Sequence, residues 1–285
     1  MRMPSFNPTL TMKIFLPLLA AVVWAGSLST GSAAVIADFT DGNTTSAVDG
    51  YAGKAGGGWT GAWNNPTSNI TYAATVTNTS PLKTGSGNYL SMTASSPGSV
   101  SNSQASVNRQ YSSGISLTQQ VKFEFLFRAD VISSQTRYTI FDAPASQPAT
   151  GANMTWEVAL NGSTWYLYSG NGAGGGSEIS TGLTATAGTT YAFSILANPT
   201  AKTFTVSIAN TSGTVLYTSG TTTFRSSAAS LGGYLTFSTV DSDPSSPSSL
   251  ASSIDGISIT QVPEPGTVAL LGLGGAAFLW IRRRR

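Results

Sequence analysis

Apolar and polar residues alternate along short stretches of this chain from about residue 35 to residue 260. In the clearest stretch, Phe123, Phe125 and Phe127 fall on one side, and Lys122 and Glu124 fall on the other. A period of two residues is that of a β-strand with one buried face. The alternation recurs at Trp156/Val158/Leu160, Trp165/Leu167 (opposed to Tyr166/Tyr168), Tyr191/Phe193/Ile195 and Phe204/Val206/Ile208. The pattern therefore predicts β-strands, and no long stretch has the period of an amphipathic helix.

Turn signals separate these strands. Asn161-Gly162 is typical of a tight β-hairpin, and Asn198–Ala201 and Asn210–Gly213 predict two further connections. More strands are predicted at Val35–Phe39, Ile70–Val76, Tyr89–Thr93, Ser106–Tyr111, Arg137–Phe141, Val215–Thr218, Tyr234–Ser238 and Ile254–Thr260. About a dozen short strands with one apolar face predict an all-β fold, a two-sheet antiparallel jelly-roll sandwich. It forms one domain over residues 35–261, with the Ser/Pro-rich stretch 241–253 as a surface loop before the last strand.

The first 34 residues have the features of a secretory signal peptide. Basic Arg2 and Lys13 precede an apolar run, Ile14–Ala25, and the small residues at 31–34 suit cleavage. The apolar run is about 12 residues long, which is shorter than a membrane span. We therefore expect residues 1–34 to direct export and to be removed.

The C-terminal tail has three parts: Val262–Pro265, an uncharged apolar stretch at Thr267–Ile281, and Arg282–Arg285. Proline biases the residue before it toward extended conformations, so a helix can begin only after Pro265. Fifteen helical residues span roughly 22 Å, and the arginine stems can extend this toward the bilayer thickness of roughly 30 Å. The pattern predicts a transmembrane helix at 267–281 with the arginines on the cytoplasmic side. A buried core helix with a basic tail is the alternative, although such a helix is seldom apolar on all sides.

This tail resembles the PEP-CTERM sorting signal of Gram-negative bacteria. The matching residues are Val262, Pro263, Glu264 and Pro265, then the apolar stretch, then Arg282, Arg283, Arg284 and Arg285. The resemblance implies export and then recognition by an exosortase, a membrane cysteine protease that removes the tail. It also implies bacteria that make an extracellular polysaccharide matrix. We therefore expect an inner-membrane anchor with the ectodomain in the periplasm, followed by release to the cell surface or beyond.

The ectodomain resembles the concanavalin A-like, or laminin G-like, jelly roll. The resemblance depends on Ala37-Asp38-Phe39, on the glycine- and tryptophan-rich stretch 57–63, on the hairpin at Asn198-Pro199, and on Ile254–Ile259 as closing strand. Members of that superfamily bind sugars, bind proteins or cleave glycans, so the fold alone does not decide the function.

Charge and composition exclude several functions. Between residues 35 and 261 there are 8 basic and 11 acidic side chains, a net charge of −3. Without a basic stripe, nucleic acid is not an expected partner. The sequence has no cysteine and no histidine. Thiol nucleophiles, Ser-His-Asp triads and the usual zinc ligands are therefore excluded.

One candidate site is aromatic. Trp59 and Trp63 on the glycine-rich stretch, with Tyr51, are candidates for a platform on which a sugar ring stacks. The alternative is that both tryptophans fill the end of the hydrophobic core.

A second candidate is a structural calcium site. Asp38 ends the first predicted strand and Asp255 begins the last, and these strands often lie together in jelly rolls. We expect the two carboxylates on neighbouring strands at one edge of a sheet, with a metal ion or a basic side chain between them. The Asp241-x-Asp243 pair is a further candidate. The alternative is that these aspartates are turn residues.

The carboxylates do not suggest an enzyme. Glycoside hydrolysis needs two carboxyl groups about 5–9 Å apart, whereas Glu124 is followed by Phe125, Leu126 and Phe127. Its expected partners are Lys122 and Arg128 on the same face. The sequence is therefore interpreted as a non-catalytic cell-surface or matrix protein with a carbohydrate-binding-like sandwich. A purely structural or adhesive surface protein and a glycan-cleaving enzyme are the alternatives.

Overall fold

The computed structural model describes residues 34–39, 57–83, 87–98, 103–145, 154–171, 175–226, 228–241 and 246–262. The predicted signal peptide, apart from Ala34, and the tail from Pro263 onward lie outside these ranges. The first strand begins at Ala34, one residue before the predicted start of the domain. Within the described ranges, no helix is long and apolar enough to cross a membrane.

The described residues form seventeen strands. They are β1 (Ala34–Ala37), β2 (Thr60–Asn64), β3 (Thr67–Ser68), β4 (Thr71–Thr77), β5 (Tyr89–Ser96), β6 (Ser103–Gln110), β7 (Val121–Ala129), β8 (Thr136–Ala143), β9 (Glu157–Asn161), β10 (Thr164–Gly170), β11 (Gly176–Thr184), β12 (Thr190–Asn198), β13 (Thr203–Asn210), β14 (Val215–Thr218), β15 (Thr222–Thr223), β16 (Tyr234–Asp241) and β17 (Ser248–Gln261).

These strands make two antiparallel sheets, which confirms the predicted sandwich. Sheet A has nine strands, in the order β14-β13-β12-β7-β17-β5-β4, with β1 beside β17 and β15 beside β13. Sheet B has eight, in the order β11-β10-β9-β8-β16-β6-β2, with β3 beside β6. Strands distant in sequence are neighbours in both sheets, as in a jelly roll.

The core lies between the sheets and is rich in aromatic side chains. Phe123, Phe125 and Phe127 are at most 2% exposed and face sheet B, as the alternation predicts. The ring of Phe123 lies 5.0 Å from that of Trp156, and the ring of Phe125 lies 5.3 Å from that of Phe237. Burying each such ring contributes roughly 1.5–3 kcal/mol. The aromatic alternation in the sequence therefore determines which face of each strand points inward.

The three predicted turns connect strands as expected. Gly162, with φ of 55°, lies in the turn between β9 and β10, in the left-handed region that glycine adopts readily. At the β13–β14 connection, Oδ1 of Asn210 accepts hydrogen bonds from the backbone N–H of Ser212 (3.1 Å) and of Thr214 (2.9 Å). An asparagine that replaces backbone acceptors in this way fixes the turn.

Strands β2, β3, β11 and β15 were not predicted from the sequence, and one predicted loop is partly a strand. Residues 248–253 belong to β17, so the predicted loop at 241–253 is wrong for its second half. Pairing with β5 on one side and β7 on the other overrides the weak strand propensity of its serines. The sequence also gave no signal for β11, because this edge strand is exposed on nearly every residue and shows no alternation.

Candidate functional site

The two tryptophans of the glycine-rich stretch lie in the core. Trp63 is 1% exposed and Trp59 8%. The Trp63 ring lies 5.9 Å from that of Phe39, and the guanidinium of Arg109 lies over both indoles, at 5.2 and 5.8 Å. Rings enclosed in this way present no face to a sugar, so Trp59 and Trp63 do not form the predicted platform. Tyr51, its third member, lies outside the described residues.

Asp38 and Asp255 lie close enough to interact electrostatically. Ala37 pairs with Ile257, which brings the end of β1 beside the break in β17. Asp255 is 2% exposed. Burial raises its pKa, Lys83 lowers it, and the negative charge of Asp38 raises it again. The ammonium of Lys83 lies 3.3 Å from the point where a Cβ on Gly256 would stand. A basic side chain therefore accompanies this pair of acids.

The surroundings of this pair differ from the expectation in one respect. Asp255 does not lie at a sheet edge, because β17 runs between β7 and β5. The part of the chain that the structure describes holds no group of three or more acidic side chains able to share a metal ion. Asp243 lies outside that part. Calcium at Asp38 and Asp255 stays a prediction.

Glu124 has one of its two expected partners. Its carboxylate lies 2.6 Å from the ammonium of Lys122 on the exposed face of sheet A. Arg128 instead binds Asp130 at 2.5 Å and donates to the carbonyl of Ser80 at 2.9 Å. Both acids are therefore engaged in structural ion pairs.

Among the described residues, the outer face of sheet B, away from the core, carries the largest cluster of ion-paired side chains. Cross-strand pairing aligns Phe141 on β8 with Glu157 on β9, and Tyr168 on β10 with Glu178 on β11. Tyr166 lies two residues from Tyr168 and therefore on the same face. We call the following six residues the tyrosine–arginine face: Arg137, Glu157, Tyr166, Tyr168, Glu178 and Arg225.

Ion pairs connect the members of the tyrosine–arginine face. Arg137 bridges two carboxylates, with one nitrogen 3.1 Å from Glu157 and another bonded to Glu178. Glu157, only 1% exposed, also binds the guanidinium of Arg225. That guanidinium lies 3.7 Å from the centre of the Tyr168 ring. Burial lowers the pKa of Arg137, but the two glutamates together raise it above its ordinary value. Arg137 therefore stays protonated at neutral pH and binds both glutamates.

The Tyr166 ring is the open member of this face. Its cross-strand neighbours are Ala159 on β9 and Ser180 on β11, both small. Among the described residues, no guanidinium lies over this ring, whereas that of Arg225 lies over Tyr168. A half-buried ring with small neighbours can accept an apolar surface of a ligand, and the charged groups beside it can bind hydroxyl groups.

Sequence reasoning missed this face. The alternation predicted that Tyr166 and Tyr168 share a face. Arg137 and Glu157 belong to other strands, and no short stretch of sequence shows that these strands lie beside β10. Arg225 lies after β15, and its backbone N–H donates to the carbonyl of Thr155 at 2.9 Å.

Asp142, near the end of β8, is fully buried and receives four hydrogen bonds. The hydroxyls of Tyr111 and Thr155 donate at 2.5 Å each, and the N–H groups of Gly232 and Gly233 donate at 2.6 and 3.0 Å. Burial raises its pKa to about 6, although the four hydrogen bonds lower it. All the acceptor positions of this carboxyl group are occupied, and the side chain has no exposed surface. It therefore stabilises the surrounding loops and cannot contact a substrate.

A groove of about 550 Å³ lies on the opposite, outer face of sheet A. Small side chains form its floor, and its lining includes Leu82, Lys83, Glu124, Leu126, Ala192, Ser194, Ser207, Ala209 and Gly256. The volume falls within the range of small-ligand sites. It is a second concave surface, without the paired arginines and tyrosines of sheet B.

Comparison with known proteins supports the tail and the fold separately. The family model of the PEP-CTERM protein-sorting motif matches residues 261–285. This confirms the sorting signal and implies an exported protein. No curated protein matches the sequence.

Solved structures share the sandwich. A sialidase superimposes with a TM-score of 0.51 and 12% identity over 81% of this chain, but this chain spans only 18% of the sialidase. A protein of unknown function from Shewanella oneidensis MR-1 superimposes with a TM-score of 0.54 and 16% identity, over 90% of this chain and 96% of that one. At these identities the likeness shows the fold alone.

Proposed function

We propose that this protein is a non-catalytic carbohydrate-binding protein of the bacterial cell surface or extracellular matrix. Its ligand is a polysaccharide, held on the tyrosine–arginine face. One observation carries the proposal: the open Tyr166 ring lies beside an ion-paired cluster of two arginines and two glutamates, in an ectodomain with few charged residues. The PEP-CTERM tail delivers the domain to the compartment where such polymers are found.

The chemistry of this face suits a sugar. A pyranose ring has an apolar face of C–H groups, which packs on an aromatic ring, and a rim of hydroxyl groups. Arginine and glutamate side chains fixed by each other offer donors and acceptors in set positions. Such fixed groups lose little entropy when a ligand binds.

The same contacts argue against catalysis. A glycosidase needs one protonated carboxyl group as a general acid and a second, ionised one. Glu157 and Glu178 both bind Arg137, so both carboxylates are engaged in ion pairs and neither is placed to act as the general acid. Asp142 has a raised pKa but is sealed from solvent.

The tail completes the proposal. The apolar stretch 267–281 anchors the protein in the inner membrane with the sandwich in the periplasm, and exosortase then cleaves the tail. The released sandwich, residues 35–261, joins the exopolysaccharide matrix.

A glycan array with the purified sandwich tests the proposal. We expect binding to one or a few polysaccharides and no release of reducing ends from them. Tyr166→Ala should weaken this binding about two- to thirteenfold, because stacking on an aromatic ring contributes about 0.5–1.5 kcal/mol. Tyr217→Ala, on sheet A, and Ala192→Phe, which fills the groove, are the matched controls and should leave binding unchanged.

Three outcomes would contradict the proposal. Loss of binding in Ala192→Phe alone would move the site to the groove of sheet A. The absence of any glycan binding would favour a purely structural or adhesive role. Released reducing ends would favour the glycan-cleaving alternative.

A further inference from the structure

Exposed apolar side chains concentrate on one side of the sandwich. Among the described residues, four large apolar side chains are exposed, and three of them lie on β11 or β14: Ile179 (43%), Val215 (58%) and Leu216 (42%). These strands end sheet B and sheet A respectively, and they contact each other. The opposite edge of sheet A, β4, exposes threonine and alanine instead. Contiguous exposed apolar groups on one side are typical of an interaction surface.

The backbone of β11 is also free to pair. The N–H of Asn171 donates to the carbonyl of Gly175 at 3.1 Å, and hydrogen-bonded pairs alternate along an antiparallel ladder. Following this alternation along the β10–β11 register, the backbone N–H and C=O groups of Ile179 bond to β10. The backbone N–H and C=O groups of Glu178 and Ser180 therefore point away from the sheet.

This edge lacks the usual protection against pairing. Natural edge strands carry lysine, proline or inward charges that keep other strands away. Residues 176–184 contain no lysine and no proline, and their one charge, on Glu178, is engaged by Arg137. A bulge begins at Thr181, whose hydroxyl donates to the carbonyl of Trp165 at 2.8 Å, so the regular edge ends there.

We propose that β11 pairs antiparallel with β11 of a second copy of this chain, about a two-fold axis at Ile179, so that two B sheets become continuous. The register follows from charge and geometry. An axis at Glu178 would place two glutamates directly opposite each other, which is destabilising. An axis at Ser180 would need the bulged residues to pair. An axis at Ile179 sets Glu178 opposite the second copy's Ser180, so the outward-pointing groups of both residues bond.

Pairing at this register also covers the exposed side chain of Ile179. Ile179 lies opposite its own copy, where the two side chains are in direct contact. Such a two-fold interface is closed, so it gives a dimer and not a fibre. The proposal does not depend on sugar binding.

Cysteine substitution tests the register, because the chain has no cysteine of its own. In the proposed dimer the two Cα atoms at position 179 lie about 4.5 Å apart, within the range of a disulfide. At position 177 the two copies are about 13 Å apart along the strands, too far for a bond. The full-length chain, purified in detergent and oxidised with copper phenanthroline, is analysed on a non-reducing gel.

We expect Ile179→Cys to give a disulfide-linked dimer, and Ser177→Cys and Thr75→Cys (on β4) to stay monomeric. Adding Ser180→Pro to Ile179→Cys should abolish the cross-link, because proline removes an outward N–H that β10 does not use. No dimer at position 179, or equal dimer at 177 and 179, would overturn the proposal. A cross-link that survives Ser180→Pro would do the same. If Ser180→Pro fails to fold, as judged by circular dichroism, the comparison of 177 with 179 still decides the register.

Discussion

The hydroxyl of Tyr111 donates a 2.5 Å hydrogen bond to Oδ1 of Asp142, and neither side chain is exposed. Tyr111 directly follows β6 and Asp142 lies on β8, 31 positions further along the sequence. Burial raises the pKa of both, that of Asp142 to about 6. This pair therefore makes the stability of the sandwich depend on pH.

The first prediction concerns that dependence. The pKa of Asp142 is about 6 in the folded protein against an ordinary value of 3.8, so folding favours the protonated form. The resulting stability is fully present below pH 3.8 and is lost as the pH rises through 6. Two pKa units correspond to about 3 kcal/mol. We expect urea unfolding to give a lower free energy of unfolding at pH 8 than at pH 5.

Asp142→Asn is the control for this effect. It should remove most of the pH dependence of stability. The small part that remains comes from Asp255, whose pKa is also raised by burial. It should also lower stability at pH 5 by about 1–3 kcal/mol, because the amide cannot accept from both Thr155 and Gly232. A slope between pH 5 and 8 that is unchanged in Asp142→Asn would show that other groups cause it.

The second prediction separates lysine from calcium at Asp255. Lys83 lowers the pKa of Asp255. Lys83→Gln should therefore destabilise the protein by up to about 1 kcal/mol at pH 8, and by less at pH 5. Chelator should leave the melting temperature of the wild type unchanged if the lysine alone balances the acids. A drop in chelator that Asp255→Asn abolishes would instead establish the calcium site, because an ion that binds only the folded state stabilises it.

The third prediction concerns Gly170, where β10 ends beneath Arg225. A Cβ at this position would lie 2.1 Å from the Cα of Arg225 and from the carbonyl oxygen of Phe224. Gly170→Ala should therefore displace Arg225, lower stability by about 2 kcal/mol or more, and weaken sugar binding. Gly220→Ala, where a Cβ would meet nothing within 4 Å, is the matched control. Equal unfolding midpoints in urea for the two variants would contradict this account.

The fourth prediction concerns sorting. Replacing Pro263 and Glu264 by alanine alters the motif that the sorting-signal model matches. We expect the tail to stay attached and the protein to remain in the inner membrane, as measured by fractionation and by the mass of the mature protein. Gln119→Ala, outside the matched residues, should be processed normally. Release of the double variant at the wild-type rate would mean that another segment is recognised.

Local patterns in the sequence determined the class of fold, the inward faces and the tail. The alternation at Phe123–Phe127 depends only on the two-residue period of a strand, and the Asn161-Gly162 turn depends only on local backbone geometry. The structure confirms both predictions, because no interaction with residues distant in sequence overrides these local preferences. The sorting signal is also contiguous in the sequence, so it can be identified without knowledge of the fold.

Only the tertiary structure decided which residues meet. The order β10-β9-β8 in sheet B brings Arg137 to Glu157 and Glu178, and the loop after β15 brings Arg225 over Tyr168. Strand order is set by long-range pairing, for which short stretches of sequence hold little information. The same holds for Trp59 and Trp63: residue type suggested a sugar platform, but packing beneath Arg109 placed both rings in the core, since burying a large apolar surface is more favourable than exposing it. The position of β11 at a sheet edge also depends on tertiary structure, because it follows from the order in which all the other strands pair.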